Sequence, residues 1–425
     1  MGGHAFPSAH TPRMPENVYR SVLEHVESRL KEHFEHVGHA IEGPEKFTHG
    51  DIDVFVATPI NPSHLLKPPG GQFLADIIQG KQFSKPSGGS SVSILIDWPE
   101  EFASEIPTLN DDEEPQDSTG NTKSAHIQVD LTICSNSTGL EWLLFLHAHG
   151  DLWAMLGGII RRLGLTNSHK GLAIRIEETE GYNKERSRVT MTNDPYQVLR
   201  FLGLNIERYF KPFSTLDEMM SYVTTCRFHD PRRGAGKPRE GLKSNERQRA
   251  NKRAAYTYWV DEYLPAHQND PCRRDAHKTR DEVIEIATRF FDLEFTTRYD
   301  EQKKKIVHEF RASNMWSEIR KSIPTTGNEL GRAMKGLKAV ILATNSEVSP
   351  GGDDELQKEL YEVRIAFLEG RFDEVQAWSS KNWRLVGGKQ TTLEGIVPRT
   401  SLKNAHVELK THGLPIGGDV MRAAA

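Results

Sequence analysis

Asp51-Ile52-Asp53, set between Gly50 and the apolar run Val54-Phe55-Val56, constrains the fold of this chain more than any other segment. β-branched and aromatic residues in unbroken succession read as a strand, and a strand's side chains alternate between its two faces. Asp51 and Asp53 therefore emerge on one face, and Ile52 and Val54 on the other. Two carboxylates held that close repel, and each raises the other's pKa unless a cation lies between them. A hard divalent cation bound through oxygen is the simplest reason for such a pair. Further on, Ile127-Gln128-Val129-Asp130-Leu131-Thr132-Ile133 puts a third carboxylate inside another strand-like run. Two acids on one strand and one on a neighbour can hold two Mg²⁺ (or Mn²⁺) ions for phosphoryl or nucleotidyl transfer. Gly50 adds a tight turn through which backbone can approach a phosphate.

The 425 residues suffice for two or three domains, each with its own core. A formal net charge of -5 gives no global attraction to nucleic acid, so binding of that kind must come from a local patch. Cys134, Cys226 and Cys272 lie far apart with no CxxC spacing, which argues against a zinc site or a disulfide scaffold. No apolar run approaches the ~20 residues that span a bilayer. Residues 1–14 carry no apolar signal-peptide core. An intracellular protein of cytoplasm or nucleus, with no membrane association, is expected.

Along the chain, residues 1–14, rich in Gly, Pro and His, are expected to be disordered. Val18, Val22, Val26 and Leu30 recur at helical spacing within Pro15 to His36. Strands are predicted near Val37 to Ala40, over Asp51 to Val56, Ser91 to Trp98 and His126 to Ile133, with a short helix around Phe73 to Ile78. Glu100 to Thr122 is acidic and polar and reads as a mobile extension. Helices follow at Leu140 to His147 and from Asp151 to Leu163, the latter stopped by Gly164. Leu172 to Ile176 reads as a strand. Asp194-Pro195 is an N-cap followed by proline at the first helical position, opening a helix that Gly203 ends. Ser214 or Thr215 starts another at Leu216. Arg227 to Arg253 then holds ten Lys or Arg against three acidic residues. Helical patterns cover Ala254 to Leu264, Arg280 to Tyr299, Lys303 to Lys321, Asn328 to Leu342 and Glu355 to Ser379. The sum is an α+β chain with a strand-rich core and a helical C-terminal part.

Order and spacing give a resemblance. Gly38-His39-Ala40-Ile41-Glu42-Gly43, a short spacer, then Gly50-Asp51-Ile52-Asp53-Val54-Phe55-Val56 resembles the palm signature of the DNA polymerase beta-like (family X) nucleotidyltransferases. Ile127-Gln128-Val129-Asp130 looks like that family's third-carboxylate strand. The segments Glu141 to Leu165, Gly171 to Ile176 and Asp194 to Leu204, with Arg227-Phe228-His229-Asp230-Pro231, are similar in order to its thumb region. The resemblance covers roughly residues 15–235. It implies a palm with a mixed β-sheet and flanking helices at 15–138 and a small thumb-like α/β region at 139–235. A basic linker at 236–253, a helical region at 254–390 and a weakly structured tail at 391–425 would follow. It further implies that Asp51 and Asp53 bridge both metals and that Asp130 binds the one beside the attacking hydroxyl. Gly38, His39, Gly43 and Gly50 would then contact the nucleoside triphosphate.

Three departures bear on this. The family's phosphate-contacting Ser is His39 here. Its basic pair is replaced by Ile41 and Glu42, and Glu42 is expected to repel a triphosphate. The aromatic-glycine segment and the polar residues that read the incoming nucleotide in polymerases are not apparent around His147 to Met155. The small N-terminal lyase domain of repair polymerases is also expected to be missing, so a templated repair polymerase is not expected. His39 and His49 read either as phosphate contacts or as solvated surface groups, and Asp151 as a helix cap or a catalytic group. Arg161 and Arg162 are expected on an exposed helix face, Trp142 and Trp153 in the core. Arg232, Arg233, Lys237, Arg239, Arg247 and Arg249, with Tyr256, Tyr258 and Trp259 for stacking, suit RNA or DNA. The same stretch also reads as a solvated loop broken by Gly and Pro. Two functions follow: a metal-dependent transfer of a nucleotidyl group to a hydroxyl, or a catalytically degenerate fold that binds nucleic acid or protein.

Overall fold

The computed structural model describes residues 3–61, 70–85, 90–107, 124–233, 253–271, 277–291, 293–342 and 355–386. Lys237, Arg239, Arg247 and Arg249, most of the expected acidic extension, Cys272 and the C-terminal tail lie outside them. The fold is α+β, and the chain divides into two compact units: residues 1–174 with 190–292, and residues 175–189 with 293–425.

In the first unit a five-stranded mixed sheet runs in the order β2-β4-β7-β6-β5. Its strands are β2 (Phe34–Gly38), β4 (Ile52–Pro59), β5 (Gln82–Ser84), β6 (Ser91–Asp97) and β7 (His126–Ile133). The pair β1 (Met14–Pro15) and β3 (Thr48–His49) stands apart from it. Helix α1 (Glu16–Lys31) has no side-chain cap, and Glu16–Arg20 and Glu27–Lys31 pairs support it at i,i+4 spacing. Its Val18, Val22, Val26 and Leu30 stripe is buried against Ile52, Val54, Val56, Val129 and Leu131. Each such side chain contributes roughly 1.5–3 kcal/mol on burial. Helix α2 (Gly70–Ile77) brings Leu74 and Ile77 to the same apolar cluster. On the other face of β4, Phe55 and Ala57 meet Cys134, Leu140, Leu143 and Leu144. Three of these come from helix α3 (Ser137–His147), capped by Asn136, whose side chain accepts from Gly139 N–H. One face of the sheet is thus covered by α1 and α2, while on the other α3 packs on β2 and on the end of β4 away from Asp51 and Asp53.

Helix α3 and helix α4 (Leu152–Ile160) are apolar, but no single helix among the described residues is long and apolar enough to cross a membrane. The 137–147 and 152–163 segments meet at 85°. Trp142 and Trp153 lie in the core between them, as expected, with Trp142 Nε1 donating to Ser168 O at 3.0 Å and Trp153 Nε1 to Tyr209 Oη at 2.8 Å. Several start and stop signals act as read. Gly164 and Gly203 end their helical segments in the left-handed region, and Asp194 accepts from Tyr196 N–H and Gln197 N–H. Thr215 rather than Ser214 caps Leu216–Thr224. Strands β8 (Leu165–Ser168) and β9 (Gly171–Arg175) form a hairpin.

The N-terminal segment differs from expectation. Residues 3–13 follow a defined path, with Phe6 buried and His126 N–H donating to His10 O at 2.9 Å. Gly3 N–H donates to Gly50 O at 2.8 Å. Backbone bonds of this kind leave no periodic apolar pattern to read.

In the second unit the predicted helices over 280–299 and 303–321 are divided otherwise. Arg280–Phe290 ends in the first unit, and Leu293–Ser322 is one helix of 30 residues. With Gly327–Ile341, Glu355–Leu368 and Phe372–Val386 it builds a core around Trp316, Leu337, Val340, Phe367 and Trp383. Gly336 lets its helix approach the backbone of Val386, where a Cβ would collide with the carbonyl. Residues 175–189 join this bundle through Arg186–Glu309 at 2.5 Å and Lys303–Glu178 at 2.9 Å.

Candidate functional site

Strand β4 pairs with β7 in parallel, and the register sets Asp53 opposite Asp130 and Ile52 opposite Val129. Adjacent strands lie about 4.8 Å apart, so Asp53 and Asp130 are lateral neighbours and Asp51 stands two residues along on the same face. The burial of Ile52, Val54, Val129 and Leu131 beneath α1 explains why this face, and not the other, carries the acids. A one-residue slip would turn all of them into the core. Asp53 is exposed, and Asp51 and Asp130 are half-buried.

Burial raises the Asp51 pKa, and the Asp130 charge adds to it, while Lys46, Arg13 and His4 pull it down. Burial likewise lifts Asp53, to about 7, with Asp51 and then Asp130 adding to the rise and Lys46 opposing it. Water still reaches Asp53, so its repulsion is partly screened. Asp130 is held differently. Gln128 Nε2 donates to both of its oxygens, at 3.1 and 3.0 Å, and Gln128 Oε1 accepts from Ala5 N–H at 2.9 Å.

Three oxygen-donor carboxylates on adjacent strands suit a hard divalent cation by donor type and by backbone placement. Their side chains are not drawn together: among the described residues no three His, Cys, Asp or Glu are gathered closely enough to hold a metal ion. The backbone positions adjoin, so the set is assembled at the level of the strands and not at the level of the carboxylate oxygens.

The four residues expected at a triphosphate are scattered. Gly38 ends β2 opposite Phe55 and leans on Leu144 of α3. His39 Nδ1 is 2.6 Å from Glu27 Oε1, so its side chain turns to α1 rather than to the carboxylates. Gly43 lies against the backbone of His149 and Gly150, where Ile41 O accepts from His149 N–H at 2.7 Å. Only Gly50 adjoins the acids, and its carbonyl already binds Gly3. His49 is neither a surface group nor a phosphate contact. It is buried, stacks on Tyr19 with centroids 3.6 Å apart, and sits 2.9 Å from Glu16 Oε2.

Glu42 is not the free repulsive charge expected from its position. Tyr19 Oη donates to it at 2.5 Å and Lys46 Nζ at 2.7 Å. Burial would raise its pKa, but Lys46 and Tyr19 outweigh that and hold it below the ordinary carboxylate value. Sequence reasoning passed over Lys46, Arg13 and Gln128. Lys46 left one signal, as the sole Lys or Arg between Gly43 and Gly50. Asp151 makes no cap bond; it lies 3.5 Å from Arg253 Nε instead. Arg162 is half-buried and donates to Phe228 O at 2.9 Å, while Arg161 is exposed.

Of the basic stretch, Arg232 and Arg233 converge on the buried Asp230, at 3.5 and 3.3 Å, with His277 at 3.0 Å. Trp259 is fully buried and stacked on Tyr263, so its ring is not a free stacking platform, while Tyr258 is half-buried with its Oη donating to Asp217. No family model matches this chain, and no curated protein matches it.

Proposed function

We propose that this chain is a metal-dependent nucleotidyltransferase-like protein with a polymerase beta-type palm and a thumb-like region behind it. One observation carries the reading: Asp53 and Asp130 are register partners on adjacent parallel strands, with Asp51 two residues along on the same face. Asp51 and Asp53 would bridge two Mg²⁺ or Mn²⁺ ions, and Asp130 would hold the one next to the acceptor. Bound ions supply a lowered hydroxyl pKa and neutralise charge at the α-phosphorus of a nucleoside triphosphate. The chain's own part is to hold three carboxylates on one face of a sheet, so their backbone need not reorganise at the moment of reaction. Lys46, exposed beside the pair, offers the cation that Ile41 and Glu42 no longer supply. An attacking hydroxyl would displace pyrophosphate and take the nucleotidyl group. RNA or DNA reaching the basic stretch 227–253 is one acceptor class.

Incubation with Mg²⁺ or Mn²⁺, labelled nucleoside triphosphates and RNA, DNA or protein acceptors tests this. Transfer by the wild type should fall at least a hundredfold in Asp53→Ala, since removing a bridging carboxylate takes away transition-state charge stabilisation. Equal transfer by the two would sink the assignment. A second reading, a catalytically degenerate fold that binds nucleic acid or a protein, draws support from the 38–43 loop. His39 is engaged by Glu27, and Ile41 and Gly43 by the 149–150 backbone, which leaves little of a phosphate cradle. Calorimetric titration with Mg²⁺-nucleotide separates the two: micromolar binding that Asp51→Asn abolishes counts against a dead site.

A further inference from the structure

Among the described residues, Gln128 is a largely buried polar side chain that touches the carboxylate set directly, and both ends of its amide are engaged. Lying two residues before Asp130 on β7, it shares the acidic face. An amide can be flipped without changing its shape, so its partners decide which end points where. Here the Ala5 N–H needs an acceptor, which places Oε1 on the N-terminal segment and leaves the Nε2 hydrogens for Asp130. Gly3 packs so tightly on the same side chain that a Cβ there would collide with Gln128. Further contacts pin the segment: Gly3 N–H to Gly50 O at 2.8 Å, Thr11 Oγ1 to Gly3 O at 3.1 Å, and Arg13 Nε to Thr48 Oγ1 at 2.9 Å. The strap thus joins the turn before Asp51 to the residue that holds Asp130.

We infer that Gln128 is a positioning residue for Asp130, and that residues 3–5 set its amide so that the third carboxylate is presented to a divalent cation in one orientation. The inference rests on the metal reading of the site proposed above. Both Asp130 oxygens lie on Gln128 Nε2; a cation that takes one of them leaves the other on the amide, so the carboxylate keeps its direction and loses less rotational freedom on binding. The coupling is reciprocal: if the strap favours the cation, the cation must favour the strap.

Mn²⁺ alone, titrated calorimetrically into the full-length chain, provides the probe. Gln128→Met keeps the length of the side chain without its donor and acceptor. Gly3→Ala displaces the same amide without altering β7. Loss of support of this kind typically costs 10–100-fold in metal affinity, so each variant should bind Mn²⁺ about tenfold more weakly than wild type. Hydrogen exchange at the Ala5 amide gives a second readout: Mn²⁺ should slow it in wild type and leave it unchanged in Gln128→Met. Affinities within twofold of wild type in both variants, or an Ala5 amide indifferent to Mn²⁺, overturn the inference while leaving the metal site standing. A wild type whose Mn²⁺ binding is absent, or survives in Asp53→Ala, removes the metal reading itself and the inference with it.

Discussion

Asp53 is partly shielded from water and stands beside two other acids, a cost that pH and cations should both reveal. Its pKa stands at about 7 against an ordinary 3.8, so between those values the folded chain keeps a proton that the unfolded chain has released. Stability therefore falls as pH rises through that window. Asp53→Asn should remove the fall and make the cation-free protein more stable at pH 8, by about 1 kcal/mol once solvent screening of this exposed group is allowed for. With saturating Mn²⁺ the order should reverse, because only the wild type gains binding energy. Thermal melts at pH 5 and pH 8, with and without Mn²⁺, measure all of this. A variant with the same pH slope as the wild type would show that the crowding is not felt. Asp51, Asp53 and Asp130 were legible in the sequence because a period of two puts acids and core residues on opposite faces. Gln128 was not, since nothing in its own neighbourhood announces a partner 123 positions away. The charge of Glu42 was legible, but not the ion pair that Lys46 makes with it, nor the hydrogen bond that Tyr19 brings from a helix.

Among elements, the ones with chemical punctuation were read closely. Asp194-Pro195 and Gly203 bracket their helix because a cap, a fixed φ and a left-handed stop are each local properties. The joint between Phe290 and Leu293 was missed, since Arg280 to Tyr299 keeps an apolar rhythm across it and tertiary packing decides where it breaks. The turn between β8 and β9 makes a sharper demand. Gly171 has φ of +131°, and a Cβ would lie 2.5 Å from Thr192 O. Gly171→Ala should cost about 2–4 kcal/mol through strain and local overpacking. Urea unfolding followed by circular dichroism would read the loss, and an unchanged midpoint would mean that the strand edge simply yields.

At the scale of the molecule, the sequence suggested a helical C-terminal region but gave no hint that residues 175–189 belong with it. That membership rests on pairs far apart in the chain, chiefly Arg186 with the buried Glu309. Arg186→Ala would strand the carboxylate and should destabilise the second unit by about 3 kcal/mol. Calorimetry of the full chain should then show the transition of that unit moving down while the other stays. A uniform shift of both would mean that the two melt as one. The parallel register of β4 and β7 has a different consequence, for how such a chain tolerates insertions and deletions. Asp53 meets Asp130 because of what each strand buries, not because of the length of chain between Pro59 and Ser91 or between Trp98 and His126. Loop residues there can be added or removed while the three acids stay together, provided that α2 keeps Leu74 and Ile77 in the core and β5 keeps its pairing with β6. A single residue added between Ile127 and Asp130 changes the parity of the strand, and the third carboxylate then faces the oily side of the sheet.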